Sequence, residues 1–154
     1  ERIVVADVID RRLEKALQLG AWHVINGRKE DTVDRSRALF GGDGADIVFE
    51  TAGSRVTAMQ SFASVRRGGE VMIVGTIPGE TPVDFLKINR EVKVQTVFRY
   101  ANNFPMTIQA ISSGRFDVLT MVTDEYTYED VQKAFEESLS RKAEIIKGVI
   151  KISD

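Results

Sequence analysis

The sequence predicts an α/β protein built on a doubly wound parallel sheet, and three observations carry that prediction. Apolar, β-branched runs such as Ile3 to Ala6, "DIVFE" and "EVMIVGT" end in polar residues, as do strands of a parallel sheet covered on both faces. Segments with apolar residues at helical spacing lie between them. The alternation lasts for about a hundred residues, an order that implies parallel strands joined by right-handed crossovers.

The first strand runs from Ile3 to Asp7. Asp10 can cap the helix that follows, Leu13, Ala16 and Leu17 share its apolar face, and Gly20 stops it. "WHVIN" reads as a short strand and "DTVDRSRALFGG" as a helix with a weak face at Val33, Arg37 and Leu39. "ADIVFETAG" is the next strand. Ser54 begins a helix with Val56, Met59, Phe62 and Ala63 on one face, closed by Gly68 and Gly69. "EVMIVGT" is a strand, Pro78-Gly79 a turn, "VDFLKIN" irregular and "VKVQTVF" a strand. Beyond Phe98, Pro105 opens a helix that ends near Gly114, and "VLTMVTDEY" reads as strand. Thr127 with Asp130 resembles a capping box for a helix carrying Val131, Ala134, Phe135 and Leu139, and "GVIKI" is the last strand.

With 154 residues the chain is of ordinary single-domain size, burying roughly 70% of its unfolded surface in a core. A net charge of −2 supplies no electrostatic footprint for nucleic acid or an anionic membrane. No run of about 18 apolar residues is present, and the expected location is cytoplasmic. The chain has no cysteine and a single histidine, His23, so a Cys/His zinc set cannot be assembled from it. "ERIVVAD" enters a strand almost at once and without a methionine, which reads as a fragment of a longer protein.

Ligands of open α/β sheets collect beyond the carboxyl ends of the strands, which directs attention to Asp7, Glu50 with Thr51, Val74 to Thr76, and Arg99 with Tyr100. An acid in the position of Asp7 can accept the ribose hydroxyls of an adenosine and disfavours the extra phosphate of NADP, although a plain strand-end polar residue reads equally well. Arg12 can stack on an adenine or contact its ribose, or be an ordinary solvated helix arginine like Arg11. Gly75 permits close approach of a backbone or flat ligand, with Val74 and Thr76 offering backbone groups, and a simple turn before Pro78 explains it nearly as well.

No G-x-G-x-x-G precedes Asp7, and "FGGDGAD" follows a helix and precedes a strand, the reverse of a phosphate loop. His23 reads as a packed or half-exposed residue without a catalytic partner. Asp46 and Glu50 flank one strand about 13 Å apart, too far to share a proton.

"VVADVIDRRLEKALQLGA", "DIVFETAG", "GGEVMIVG" and above all "VFRYANNFP" followed by "AISSG" resemble the zinc-dependent medium-chain dehydrogenases, and within them the sorbitol, or polyol, branch. The resemblance spans nearly the whole chain but only the later part of such a protein. It implies a Rossmann-like fold lacking its first strand and glycine-rich loop, with residues 1–116 a partial NAD-binding domain. Residues 117–154 would form a strand-helix-strand segment packing on that domain or on a catalytic domain.

By the same resemblance, Asp7 and Arg12 bind the adenosine end of NAD. The backbone of Val74, Gly75 and Thr76 lies along the nicotinamide side, and Val97, Phe98 and Arg99 also meet the cofactor. Arg99 and Tyr100 reach a small polyol substrate. The family's catalytic zinc, with its Cys, His and Glu ligands, belongs to a part this chain does not contain, so no catalytic or metal-binding residue is expected here and the chain alone is expected to be inactive.

A homo-oligomer is expected, since late strands such as "GVIKI" can pair across a dimer. The alternatives are another zinc-type dehydrogenase, for threonine or glucose, and a non-catalytic remnant that acts as an interaction module. In the doubly wound order the first strand lies centrally, between the strands at residues 2–7 and 46–51. Without it those two strands must close on each other, accept another chain, or belong to a longer molecule.

Overall fold

The computed structural model describes residues 1–88 and 91–153, which form two compact units. One comprises residues 1–8 and 22–101, the other residues 9–21 and those from 102 onward.

In the first unit, β1 (Val4–Asp7) pairs in parallel with β2 (His23–Asn26), with Val4 opposite His23 and Asp7 opposite Asn26. A second parallel sheet has β4 (Val65–Ile73) between β3 (Ala45–Glu50) and β5 (Lys93–Thr96). The helices are α2 (Thr32–Leu39), α3 (Arg55–Ser64) and the short α4 (Phe85–Ile88). Asp31 caps α2 by accepting the Asp34 N–H, and Ser54 caps α3 through the Thr57 N–H, each satisfying a donor the helix leaves open. The two helices pack on each other and on β2, β3 and β4, with Ile25 and Val71 fully buried.

At the start of β2, the Arg2 guanidinium lies 5.3 Å from the Trp22 ring centroid and 5.5 Å from that of Phe40. Both are within cation–π range.

The second unit contains α1 (Asp10–Gln18), α5 (Phe104–Ser112) and a 3₁₀ turn at Leu119–Met121. A parallel strand-helix-strand follows: β6 (Asp124–Thr127), α6 (Val131–Ser140) and β7 (Gly148–Lys151). Pro105 sits in the first turn of α5, where its missing N–H costs nothing. Gly20, at φ 97°, follows the C-cap Leu19 of α1.

The α/β order is as the sequence predicts, and several local readings are corrected. "VLTMVTDEY" is not one strand: Leu119–Met121 coils into a 3₁₀ turn and the strand begins only at Asp124. The Thr127 hydroxyl donates to the Asp130 carboxylate at 3.2 Å, so it closes no capping box. Asp10 lies inside α1, whose N-cap is Ile9. Gly68 and Gly69 do not close α3; they lie within β4, which starts at Val65, and Gly68 takes φ 67° there.

The face α3 buries is Ala58, Ser61 and Ser64, whereas Val56 and Met59 stay exposed, because the small side chains let the helix approach its strands closely. The strands are also less covered than their apolar runs imply: Phe49 is 62% exposed and all of β5 is exposed. "VKVQTVF" ends as a strand at Thr96. The irregular reading of residues 83–89 meets the helical turn at Phe85, and its last residue, Asn89, lies outside the described residues.

Candidate functional site

Parallel β3, β4 and β5 place their carboxyl ends along one edge of the sheet, the position at which open α/β sheets bind ligands. Ile73 pairs with Thr96, and the Val97 N–H donates to the Ile73 carbonyl at 2.8 Å. The chain therefore leaves β4 toward Val74, Gly75 and Thr76 next to the point where Val97 leaves β5.

The strand stops before Phe98 for a local reason. Arg99 adopts φ 53°, a left-handed conformation incompatible with a continuing strand and costly for a residue with a Cβ. Phe98 is 88% exposed, and the Arg99 guanidinium lies 5.4 Å from its ring centroid. Tyr100 is exposed as well. The reading that put Val97 and Phe98 in the sheet is corrected accordingly: only the Val97 N–H extends the ladder.

Gly75 has a structural explanation. A Cβ there would collide with Glu50 Oε2 and with the N and Cα of Gly53, so what approaches is the loop after β3. Gly53, at φ 70°, is pressed in turn against Thr76.

Glu50, which the sequence places among the strand-end residues and rules out only as a proton-sharing partner of Asp46, is the most deeply buried of them. It is 2% exposed; its Oε1 accepts the Gly53 N–H at 2.9 Å and the Thr57 hydroxyl at 2.6 Å, while its buried Oε2 has no hydrogen-bond partner. Burying a carboxylate oxygen without a donor is unfavourable. The available signal was an acid closing a strongly apolar strand three residues before a glycine.

Asp7 closes β1, half-buried, with Oδ1 accepting the Val8 N–H at 2.6 Å. An acid held by its own backbone at a strand end has the chemistry to accept ribose hydroxyls. Arg12 belongs to the second unit, on α1 beside the buried Leu13, with its guanidinium 3.5 Å from the Lys142 carbonyl. His23 is half-buried with Nε2 3.3 Å from Arg35 Nη2. Asp46 is exposed and paired with Arg66 at 2.6 Å.

The donor set of this chain does not fit zinc. It has no cysteine, and among the described residues no three His, Asp or Glu side chains converge as a metal cluster. No helix among the described residues is long and apolar enough to cross a membrane.

A parallel sheet with polar groups at its carboxyl edge is the arrangement of open α/β proteins, whose ligands bind at that edge. Within that class the family model for zinc-binding dehydrogenases matches residues 2–113, and the chain belongs to that family. The uncharacterised zinc-type alcohol dehydrogenase-like protein YdjJ of Escherichia coli is 64% identical over 152 residues, covering 99% of this chain and 44% of that protein. A sorbitol dehydrogenase of Bacillus subtilis is 38% identical over 152 residues, covering 96% of the chain and 42% of that protein.

A crystal structure of an Escherichia coli oxidoreductase of unknown specificity superposes with a TM-score of 0.94 at 63% identity, covering 99% of this chain and 44% of that one. The chain thus spans less than half the length of the relatives it matches.

Proposed function

We propose that this chain is the cofactor side of an NAD-dependent polyol dehydrogenase, which moves a hydride from a secondary alcohol to the nicotinamide. The observation that supports the reading is that β4 and β5 end side by side at their carboxyl ends, with the Val97 N–H on the Ile73 carbonyl and Arg99 following in a left-handed conformation. NAD supplies the hydride acceptor when bound. Asp7 accepts the ribose hydroxyls at the adenosine end, and the backbone of Val74, Gly75 and Thr76 holds the nicotinamide side with Val97, Phe98 and Arg99.

Arg99 and Tyr100, exposed and rich in hydrogen-bonding groups, orient a hydroxyl-rich substrate. The sorbitol dehydrogenase relative supports a polyol. Residues 1–116 are the cofactor part and residues 117–154 a C-terminal segment.

The test is Arg99→Ala in the full-length polypeptide that carries this sequence. KM for a sugar alcohol should rise about tenfold, the loss of one charge-assisted hydrogen bond, with the Kd for NADH unchanged. Unchanged polyol kinetics would refute the substrate role. A panel including threonine and glucose separates the polyol reading from the other dehydrogenase specificities.

A further inference from the structure

We propose that Glu50 is a positioning residue for the nicotinamide half of the cofactor: without touching the ligand, its carboxylate fixes the backbone of Val74, Gly75 and Thr76. The inference rests on the assignment of those three residues to the nicotinamide side, and it adds a residue that acts through them.

Glu50 reaches this segment by three routes. Its backbone carbonyl accepts the Val74 N–H at 2.8 Å and the Gly75 N–H at 2.9 Å, which holds the chain where it leaves β4. Its side chain lies against Gly75, with Oε2 in the space that a Cβ there would need. Its Oε1 accepts the Gly53 N–H at 2.9 Å, and Gly53 is itself pressed on the Thr76 backbone, where a Cβ on it would come within 2.9 Å of the Thr76 carbonyl oxygen. Removing the carboxylate therefore opens a gap beside the segment and frees the loop that braces it, since packed interiors offer little slack.

The carboxylate is anchored in turn by the start of α3. Ser54 Oγ accepts the Thr57 N–H at 3.1 Å and lies 2.7 Å from the Thr57 hydroxyl, which donates to Glu50 Oε1 at 2.6 Å. The Ser54 carbonyl is the more distant acceptor for that hydroxyl, at 3.0 Å. Ser54 can donate its own hydroxyl proton to Thr57 Oγ1, so one chain of hydrogen bonds runs from the cap of α3 through Thr57 and Glu50 to Gly53.

Filling space does not account for this choice of side chain. An apolar residue would close the same volume without the cost of burying a carboxylate that is 2% exposed and has one oxygen unpartnered. What it could not supply is an acceptor shared by a loop N–H and a helix hydroxyl, and that shared acceptor couples α3 and the Gly53 loop to residues 74–76. Asp7, assigned to the adenosine end, closes a different strand, so the two halves of the cofactor are held by separate elements.

That separation supplies the test, in the full-length polypeptide that carries this sequence, with two ligands: NADH, and ADP-ribose, which lacks the nicotinamide. Glu50→Ala should raise the Kd for NADH about tenfold while the Kd for ADP-ribose stays within about twofold. Thr57→Val, which removes the hydroxyl and keeps the volume, should raise the Kd for NADH alone by about threefold. Thr57→Ser, which restores the hydroxyl, should return it to the unsubstituted value. A merely structural loss weakens both ligands together, and the Thr57 pair decides the matter if Glu50→Ala does not fold.

The inference is overturned if ADP-ribose weakens as much as NADH, if the variants leave NADH affinity intact, or if Thr57→Ser fails to restore it. An unsubstituted polypeptide that binds NADH no more tightly than ADP-ribose would instead show that residues 74–76 do not hold the nicotinamide, and the cofactor assignment would fall together with the inference.

Discussion

Two glutamates set the two units of the molecule apart. Glu137, in the strand-helix-strand of the second unit, accepts the Tyr126 hydroxyl at 2.9 Å and Arg141 Nη1 at 2.8 Å. Arg141 also reaches Asp124 at 3.2 Å and Glu144 at 2.9 Å. Desolvation, then the Glu137 carboxylate, lifts the Tyr126 hydroxyl above its ordinary pKa. The bonds from Tyr126 and then Arg141 hold Glu137 below the usual glutamate range, and Glu144 and then Glu137 keep Arg141 firmly charged.

Glu50, in the first unit, is more deeply buried and satisfied through one oxygen only. A closed polar network completes its own fold, whereas a half-satisfied one leaves a buried carboxylate oxygen at a desolvation cost.

The contrast can be broken most severely at Gly75. Gly75→Val drives side-chain atoms into Glu50 and the Gly53 backbone and should cost about 3 kcal/mol or more, read from urea unfolding. Glu50→Ala comes next: it strips the acceptor from the Gly53 N–H and the Thr57 hydroxyl and should cost about 2 kcal/mol, with the loss confined to the first unit in exchange measurements.

Tyr126→Phe sharpens the comparison from the other side. Because Glu137 titrates below its ordinary 4.5, its pairing stabilises the fold above that value and is lost as pH falls through the depressed folded pKa. The wild-type advantage over Tyr126→Phe in urea midpoint should be present at pH 7 and shrink on acidification below pH 4. Tyr126 runs the opposite way: its contribution is full below 10.0 and lost as pH rises through the raised value. Arg66→Ala, which removes an exposed pair with Asp46, should change stability by no more than about 0.5 kcal/mol.

The order of elements was legible because strand and helix periods differ, and Ser54 announced the start of one helix. Less was legible where short-range pattern and long-range packing disagree. Val56 and Met59 have the spacing of a core face, yet α3 presents Ala58, Ser61 and Ser64 to its strands, a choice set by how closely the backbones approach. Gly68 and Gly69 look like a helix stop because a glycine pair serves equally for an irregular turn inside a strand. The strand-edge residues of the candidate site stood out as polar ends to apolar runs. Glu50 was among them, but its burial and its half-satisfied carboxylate were not legible, because they depend on the packing of the loop at Gly53 and of Thr57.

The Arg2–Trp22–Phe40 cluster has an optical consequence. Trp22 is the sole tryptophan of the chain, and Tyr126 and Tyr128 belong to the other unit. Emission from its indole, shaped by a cation 5.3 Å from the ring, therefore reports on residues 1–8 and 22–101 alone. Fluorescence excited at the red edge of the indole band therefore follows the melting of that unit without any label.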